Sequence, residues 1–262
     1  MQDRYAGDIG DYGKFAMLRA MEAHGLKLGI NWYRTETASF EIHEDGKYRI
    51  PTLYEKCDLQ LATALNSIFD SAEDRSVRKL EQADLLKCKR FVHDLVPRDI
   101  RLRTDWHRQA LSYFKNCDLV FLDPDNGLNV KSVKAGSQKS PKYVWINEIT
   151  DYVAAGKSVI FYNHRPRKKA DTYFAEYFAR FAAEPVLSEK TVYALTFPRR
   201  SVRDYFVIPA TPAHEEKICA ALHVLEAGEF GKSGFCTVPA VKSVGKFNSL
   251  SIYGVGIMAV SP

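Results

Sequence analysis

Two unbroken apolar runs leave this chain few ways to fold. Asp118-Leu119-Val120-Phe121-Leu122 and Ser158-Val159-Ile160-Phe161-Tyr162 show no polar alternation. A strand with one wet face alternates, whereas a strand without alternation is covered on both faces, as in a parallel sheet flanked by helices. Each run stops at polar residues and a proline: Asp123-Pro124-Asp125-Asn126-Gly127 in the first, Asn163-His164-Arg165-Pro166 in the second. Between them, 129–141 is rich in Lys, Ser and Gly and reads as a mobile loop, and 142–155 reads as a helix. This strand–helix alternation predicts a mostly parallel sheet with helices on both faces.

The rest of the chain extends the pattern. A helix is predicted over 12–24, where Phe15, Leu18 and Met21 share a face and Gly25 supplies the stop. A strand follows at 28–33, then a hairpin-like segment at 40–50 around Asp45-Gly46. Helices are expected at 58–69 and 75–86, a strand at 91–96 and a helix at 104–116. After the second run come a helix at 170–183, two strands in 191–208 around Pro198-Arg199-Arg200, and a helix at 212–226. Strands near 234–239 and 250–260 close the chain as an antiparallel edge. With 262 residues, the expectation is one α/β domain over 1–262 with a small insertion around 36–56.

Composition excludes several classes. No stretch of about 18 apolar residues is present to span a membrane. The opening Met1-Gln2-Asp3-Arg4 lacks a basic-then-apolar leader, so a cytoplasmic location is expected. Cys57, Cys88, Cys117, Cys219 and Cys236 form no CxxC pair, which argues against cysteine-bound zinc and a disulfide framework and for small apolar core residues. The net charge of +5 is mild, but its basic residues cluster: Arg98, Arg101, Arg103 and Arg108; Arg165, Arg167, Lys168 and Lys169; Arg199, Arg200 and Arg203. Such clusters suit phosphate, hence a nucleic-acid or nucleotide partner.

In open α/β sheets, ligands bind beyond the carboxyl ends of the strands. Asp123, Asp125 and Asn126 end one run and His164 and Arg165 the other, so both sets are candidate site residues. The N-terminal segment Tyr5-Ala6-Gly7-Asp8-Ile9-Gly10-Asp11-Tyr12-Gly13-Lys14 is a second candidate. Its glycines permit close approach of a ligand. Its aspartates can also cap the following helix, and Lys14 in the first turn opposes the helix dipole unless an acidic partner or a phosphate holds it. Phosphate-loop, nucleophile-elbow and zincin motifs are absent from the sequence. Trp106 and His107 read as packing residues.

Two stretches resemble the ribosomal-RNA adenine-N6 methyltransferases. Tyr5 to Lys14 is similar to that family's Ala-Gly-Asn…Ala-Asp…Lys-His opening, and 118–126 with 156–162 is similar to its Asp-Pro-Pro-Tyr strand and the strand after it. The likeness covers about a third of the chain and implies a Rossmann-like sheet, S-adenosylmethionine as cofactor and adenine as target. Asp125 and Asn126 replace the second proline and the aromatic residue of that motif, and Arg34-Thr35-Glu36-Thr37-Ala38-Ser39 holds no glycine where a cofactor turn belongs.

These departures shift the expected chemistry. Asp8, Asp11, Asp123 and Asp125 are hard oxygen donors suited to Mg²⁺ or Mn²⁺, which would activate water for phosphodiester hydrolysis. Lys14 or Arg165 would neutralise developing charge and His164 would serve as general acid or base, with Tyr5, Gly7, Arg165 and Arg167 binding substrate. A metal-dependent nuclease is therefore the leading expectation. The rivals are an S-adenosylmethionine-dependent adenine methyltransferase and a catalytically inactive nucleic-acid-binding partner protein. Oligomeric state is not legible.

Overall fold

Both apolar runs lie at the centre of the sheet. The computed structural model describes residues 1–36, 48–71, 75–199, 201–243 and 246–248. Its strands are β1 (Leu28–Asn31), β2 (Phe91–Val92), β3 (Leu119–Leu122), β4 (Gly127–Leu128), β5 (Tyr143–Val144), β6 (Ser158–His164), β7 (Val192–Arg199), β8 (Ser201–Ile208), β9 (Thr237–Ser243) and β10 (Lys246–Asn248). Eight form one sheet in the order β2-β1-β3-β6-β8-β7-β9-β10, while β4 and β5 pair separately. Strands β2, β1, β3 and β6 are parallel. From β6 onward each neighbour reverses: β8 against β6, β7 against β8, β9 against β7, β10 against β9. Alternate reversals restore direction, so only β8 and β9 oppose the other six. The sheet is thus mostly parallel and Rossmann-like, with its antiparallel part beginning at the β7–β8 hairpin. Pro198 sits in β7 beyond Thr196, the last β7 residue paired with β9, where the missing N–H costs no second ladder.

Strand alternation divides the core. Leu119, Phe121, Ile160, Tyr205 and Val207 face one apolar layer. It is filled by α1 (Ile9–Ala23), α3 (Leu59–Asp70), α4 (Val77–Gln82) and α9 (Pro212–Ala227). Val120, Leu122, Val159, Phe161 and Phe206 face the other. There α5 (Ile100–Tyr113), α6 (Ile146–Ala154), α7 (Ala170–Ala182) and α8 (Pro185–Ser188) pack. Short helices α2 (Thr52–Glu55) and α10 (Glu229–Lys232) complete the described part. None of its helices is long and apolar enough to cross a membrane.

Two helices begin earlier than periodicity alone places them, because a cap decides. Asp8 Oδ1 accepts the Gly10 and Asp11 N–H groups, so α1 starts at Ile9. Asp99 caps α5 in the same way, ahead of the expected Thr104. The strand expected at 91–96 is only two residues long. The expected loop at 129–141 is tied to the α5 region, where Arg98 Nε donates to Gly136 O at 2.9 Å and Arg103 Nη1 to Ser140 O at 2.9 Å. Arg103 also pairs with Glu148 at 2.7 Å and is buried, so the Arg98–Arg108 basic cluster does not present it to a ligand. Trp106 and His107 are buried, as expected of packing residues. Cys88, Cys117 and Cys236 are buried, Cys57 and Cys219 half-buried, and all five are free. The hairpin expected around Asp45-Gly46 and the strand expected at 250–260 lie outside the described residues.

Candidate active site

A cavity of about 280 Å³ opens beyond the carboxyl ends of β3 and β6, against the start of α1 and the side of β8. Of the residues expected at a site, it gathers Tyr5, Asp8, Asp11, Lys14, Asp123, Asp125, Asn126 and His164. It also takes in Arg4, Lys142, Tyr162, Arg203 and Tyr205, which sequence reasoning did not single out as site residues.

Lys14 is the hub. Its ammonium lies 2.6 Å from Asp11 Oδ1 and 2.7 Å from Asp123 Oδ2, with the Met1 sulfur at 3.9 Å. All three side chains of this triad are nearly inaccessible. The adverse position of Lys14 against the helix dipole is therefore compensated by two carboxylates. Burial opposes the Lys14 charge, but Asp11 and Asp123 outweigh it and hold the amine protonated. Asp11 moves the other way. Burial pushes its carboxyl above the usual value, Lys14 offsets this in part, and the nearby Asp8 and Asp123 charges add to the rise. One ammonium does not neutralise two buried carboxylates.

The other aspartates have partners of their own. Asp8 Oδ2 accepts from Arg203 Nη2 at 2.9 Å. Asp125 lies 2.9 Å from the Met1 nitrogen and accepts from Gln2 Nε2 at 2.7 Å and Thr35 Oγ1 at 2.8 Å. Burial raises the Asp125 carboxyl, but that ammonium and those hydrogen bonds prevail and hold it below the usual range. These pairings do not fit a carboxylate metal cage. Where a divalent ion would bridge Asp11 and Asp123, the Lys14 ammonium already bridges them, and Asp8 and Asp125 turn to separate cations. Among the described residues no group of three or more His, Cys, Asp or Glu is placed to hold a metal. The expected Mg²⁺ or Mn²⁺ site on Asp8, Asp11, Asp123 and Asp125 is thus not formed by this donor set.

At the carboxyl ends of β1 and β3, where a Rossmann-like sheet takes an adenosyl cofactor, Met1 bridges the two strands. The Met1 nitrogen donates to Tyr33 O at 3.1 Å and Asp123 O at 2.9 Å. Tyr33 takes the left-handed turn after β1 at φ 47°, with its ring fully buried against Trp106. A glycine is favoured there if a ligand is to come close. This arrangement does not fit S-adenosylmethionine.

Three expected substrate-binding residues stand elsewhere. Arg165 is held by Asp204 at 2.6 Å and Thr196 at 3.0 Å, and lies over Tyr173 and Phe174. Arg165 lies just past the end of β6 and turns to α7, while His164, the last strand residue, lines the cavity. Arg167 is exposed, outside the cavity. Gly7, at φ +80°, is pressed against α3, where a Cβ would meet Leu65 O at 2.7 Å; its freedom serves packing, not a ligand.

What remains open to the cavity is specific. Asp123 Oδ1 has no hydrogen-bond donor among the described residues, while Oδ2 is fixed by Lys14. His164 is exposed, with Nδ1 3.4 Å from Tyr162 Oη. Burial keeps the Tyr162 and Tyr205 phenols protonated. Four basic side chains, Arg4, Lys14, Lys142 and Arg203, together with the Met1 ammonium, face the four aspartates and leave an excess of one positive charge. Compared with known proteins, the chain matches no family, no characterised protein and no solved structure.

Proposed function

We propose that this chain is an enzyme of nucleic-acid or nucleotide chemistry that hydrolyses a phosphodiester with its own side chains. One observation carries the reading: Asp123 and His164 end adjacent parallel strands and line one cavity, with one Asp123 oxygen locked by Lys14 and the other open. Asp123 Oδ1 orients a water and accepts its proton as the water oxygen attacks phosphorus. His164, entering protonated, gives its proton to the departing oxygen as the phosphorus–oxygen bond breaks. Histidine is the side chain whose charge changes most readily near neutral pH, which suits it to that exchange. Lys14 holds the Asp123 carboxylate still, so little reorganisation is needed on attack.

The test is cleavage of end-labelled single-stranded RNA and DNA in excess EDTA, with Asp123→Asn and His164→Ala as controls. Hydrolysis that survives the chelator and is lost in both variants supports the reading. The strand order and the place of Asp123-Pro124 favour methyl transfer as a second reading. Calorimetric titration with S-adenosylmethionine addresses it: saturable uptake weakened by Asp123→Asn would overturn the hydrolase reading.

A further inference from the structure

The proposed hydrolysis needs a cation to hold the phosphate, and both cations expected for that task are engaged. Lys14 is consumed by Asp11 and Asp123, and Arg165 by Asp204 outside the cavity. Arg203 is differently placed. It lies opposite His164 in the β6–β8 register, and its guanidinium reaches the cavity with the side chain 18% exposed. Only Nη2 is engaged, on Asp8 at 2.9 Å; Nε and Nη1 have no acceptor among the described residues. Burial opposes its charge, but Asp8 outweighs this and keeps it protonated.

The neighbourhood is shaped to leave this group room. Gly10, in the first turn of α1, lies directly against it, and a Cβ at that position would overlap Nη1 and Cζ. The helix N-terminus itself is not the anion site, since Asp8 and Tyr48 O already take the Ile9, Gly10 and Asp11 N–H groups.

We infer that Arg203 is the anion anchor of the cavity and that its ligand is a singly charged phosphodiester. Asp8 is a positioning residue that fixes the fork, and Gly10 leaves the space it occupies. With Nη2 on Asp8, the guanidinium keeps N–H groups that have no acceptor among the described residues, and such a group makes charge-assisted hydrogen bonds to phosphate oxygen. With the Met1 ammonium included, five cations face four aspartates around the cavity, so the net field is weak and a directed donor must select the anion. An excess of one positive charge matches one negative charge better than the two of a monoester or the several of a polyphosphate. The identity of the anion rests on the hydrolase reading; the anchoring geometry does not.

The experiment compares two dinucleotides by calorimetry in the His164→Ala background, which prevents turnover. One carries a phosphodiester, the other a methylphosphonate, its uncharged isostere. The diester is expected to bind about tenfold tighter or more, the worth of a charge-assisted hydrogen-bond pair. Arg203→Lys keeps a charge beside Asp8 but gives up the planar guanidinium donors, so it should sharply reduce that difference and leave methylphosphonate binding unchanged. Gly10→Ala displaces the guanidinium with no charge change and should do the same; Arg203→Lys decides alone if the alanine variant does not fold. Equal binding of the two dinucleotides by the parent, no binding of the diester, or a difference that Arg203→Lys leaves undiminished would overturn the inference. Discrimination without hydrolysis in the unmodified protein would keep the anchor and remove the hydrolase reading. Hydrolysis unaffected by Arg203→Lys would do the reverse.

Discussion

Lys14 Nζ lies 2.7 Å from Asp123 Oδ2, across 109 residues of chain, and this pair joins the start of α1 to the carboxyl end of β3. It explains a lysine in a helix's first turn and ties the fold's stability to the geometry of its site. Lys14→Met would leave Asp11 and Asp123 buried without their cation. A destabilisation of about 3–5 kcal/mol is expected from urea unfolding, the cost of breaking a buried ion pair. Recovery of most of that loss in Lys14→Met/Asp11→Asn/Asp123→Asn would show that the stranded carboxylates cause it. A loss of Lys14→Met below about 1 kcal/mol, the worth of a surface pair, would mean the triad is not buried in solution.

Asp11 makes stability depend on pH with a definite sign. Its folded pKa lies above the ordinary 3.8, so the native state binds a proton more readily than the unfolded chain. Its contribution is therefore most favourable below the unfolded value and is lost as pH rises through the folded one. Unfolding free energies of the parent and Asp11→Asn, measured from about pH 4 to 8, should diverge to the parent's disadvantage as pH rises. A constant difference across that range would contradict the shift.

Arg165 separates structure from chemistry. It neutralises Asp204, which is fully buried, from outside the cavity. Arg165→Met should cost about 3–5 kcal/mol of stability through the stranded Asp204. Below its unfolding transition it should cleave substrate at the parental rate. A large fall in kcat with unchanged stability would place Arg165 in the site after all.

Much of this site was legible because burial is expensive. The side chains of Asp123 and Asp125 are buried at the end of an apolar run and Lys14 opposes its helix dipole, whereas Asn126 and the exposed His164 were legible only from their place at the strand ends. Other parts depend on facts that no local pattern carries. Arg203 enters only because the β7–β8 hairpin slides its second strand in beside β6, setting it opposite His164. Arg165 leaves because the strand ends one residue before it and the buried Asp204 on β8 holds it over α7. Four aspartates looked like a metal cage in a sequence that does not show where Lys14, Arg203 and the Met1 nitrogen come to rest. The glycines of the N-terminal segment looked like ligand space, yet Gly7 makes room for α3 and Gly10 for Arg203.

Hydrolysis by Asp123 and His164 with no metal in the carboxylate cluster can be read from single-stranded RNA and DNA cleavage rates of the purified protein with and without excess EDTA, beside Asp123→Asn and His164→Ala. Rates should be equal with and without chelator and should fall by about 10²–10⁴-fold in each variant, the span of general acid–base catalysis. Cleavage abolished by EDTA, or undiminished in Asp123→Asn, would contradict it.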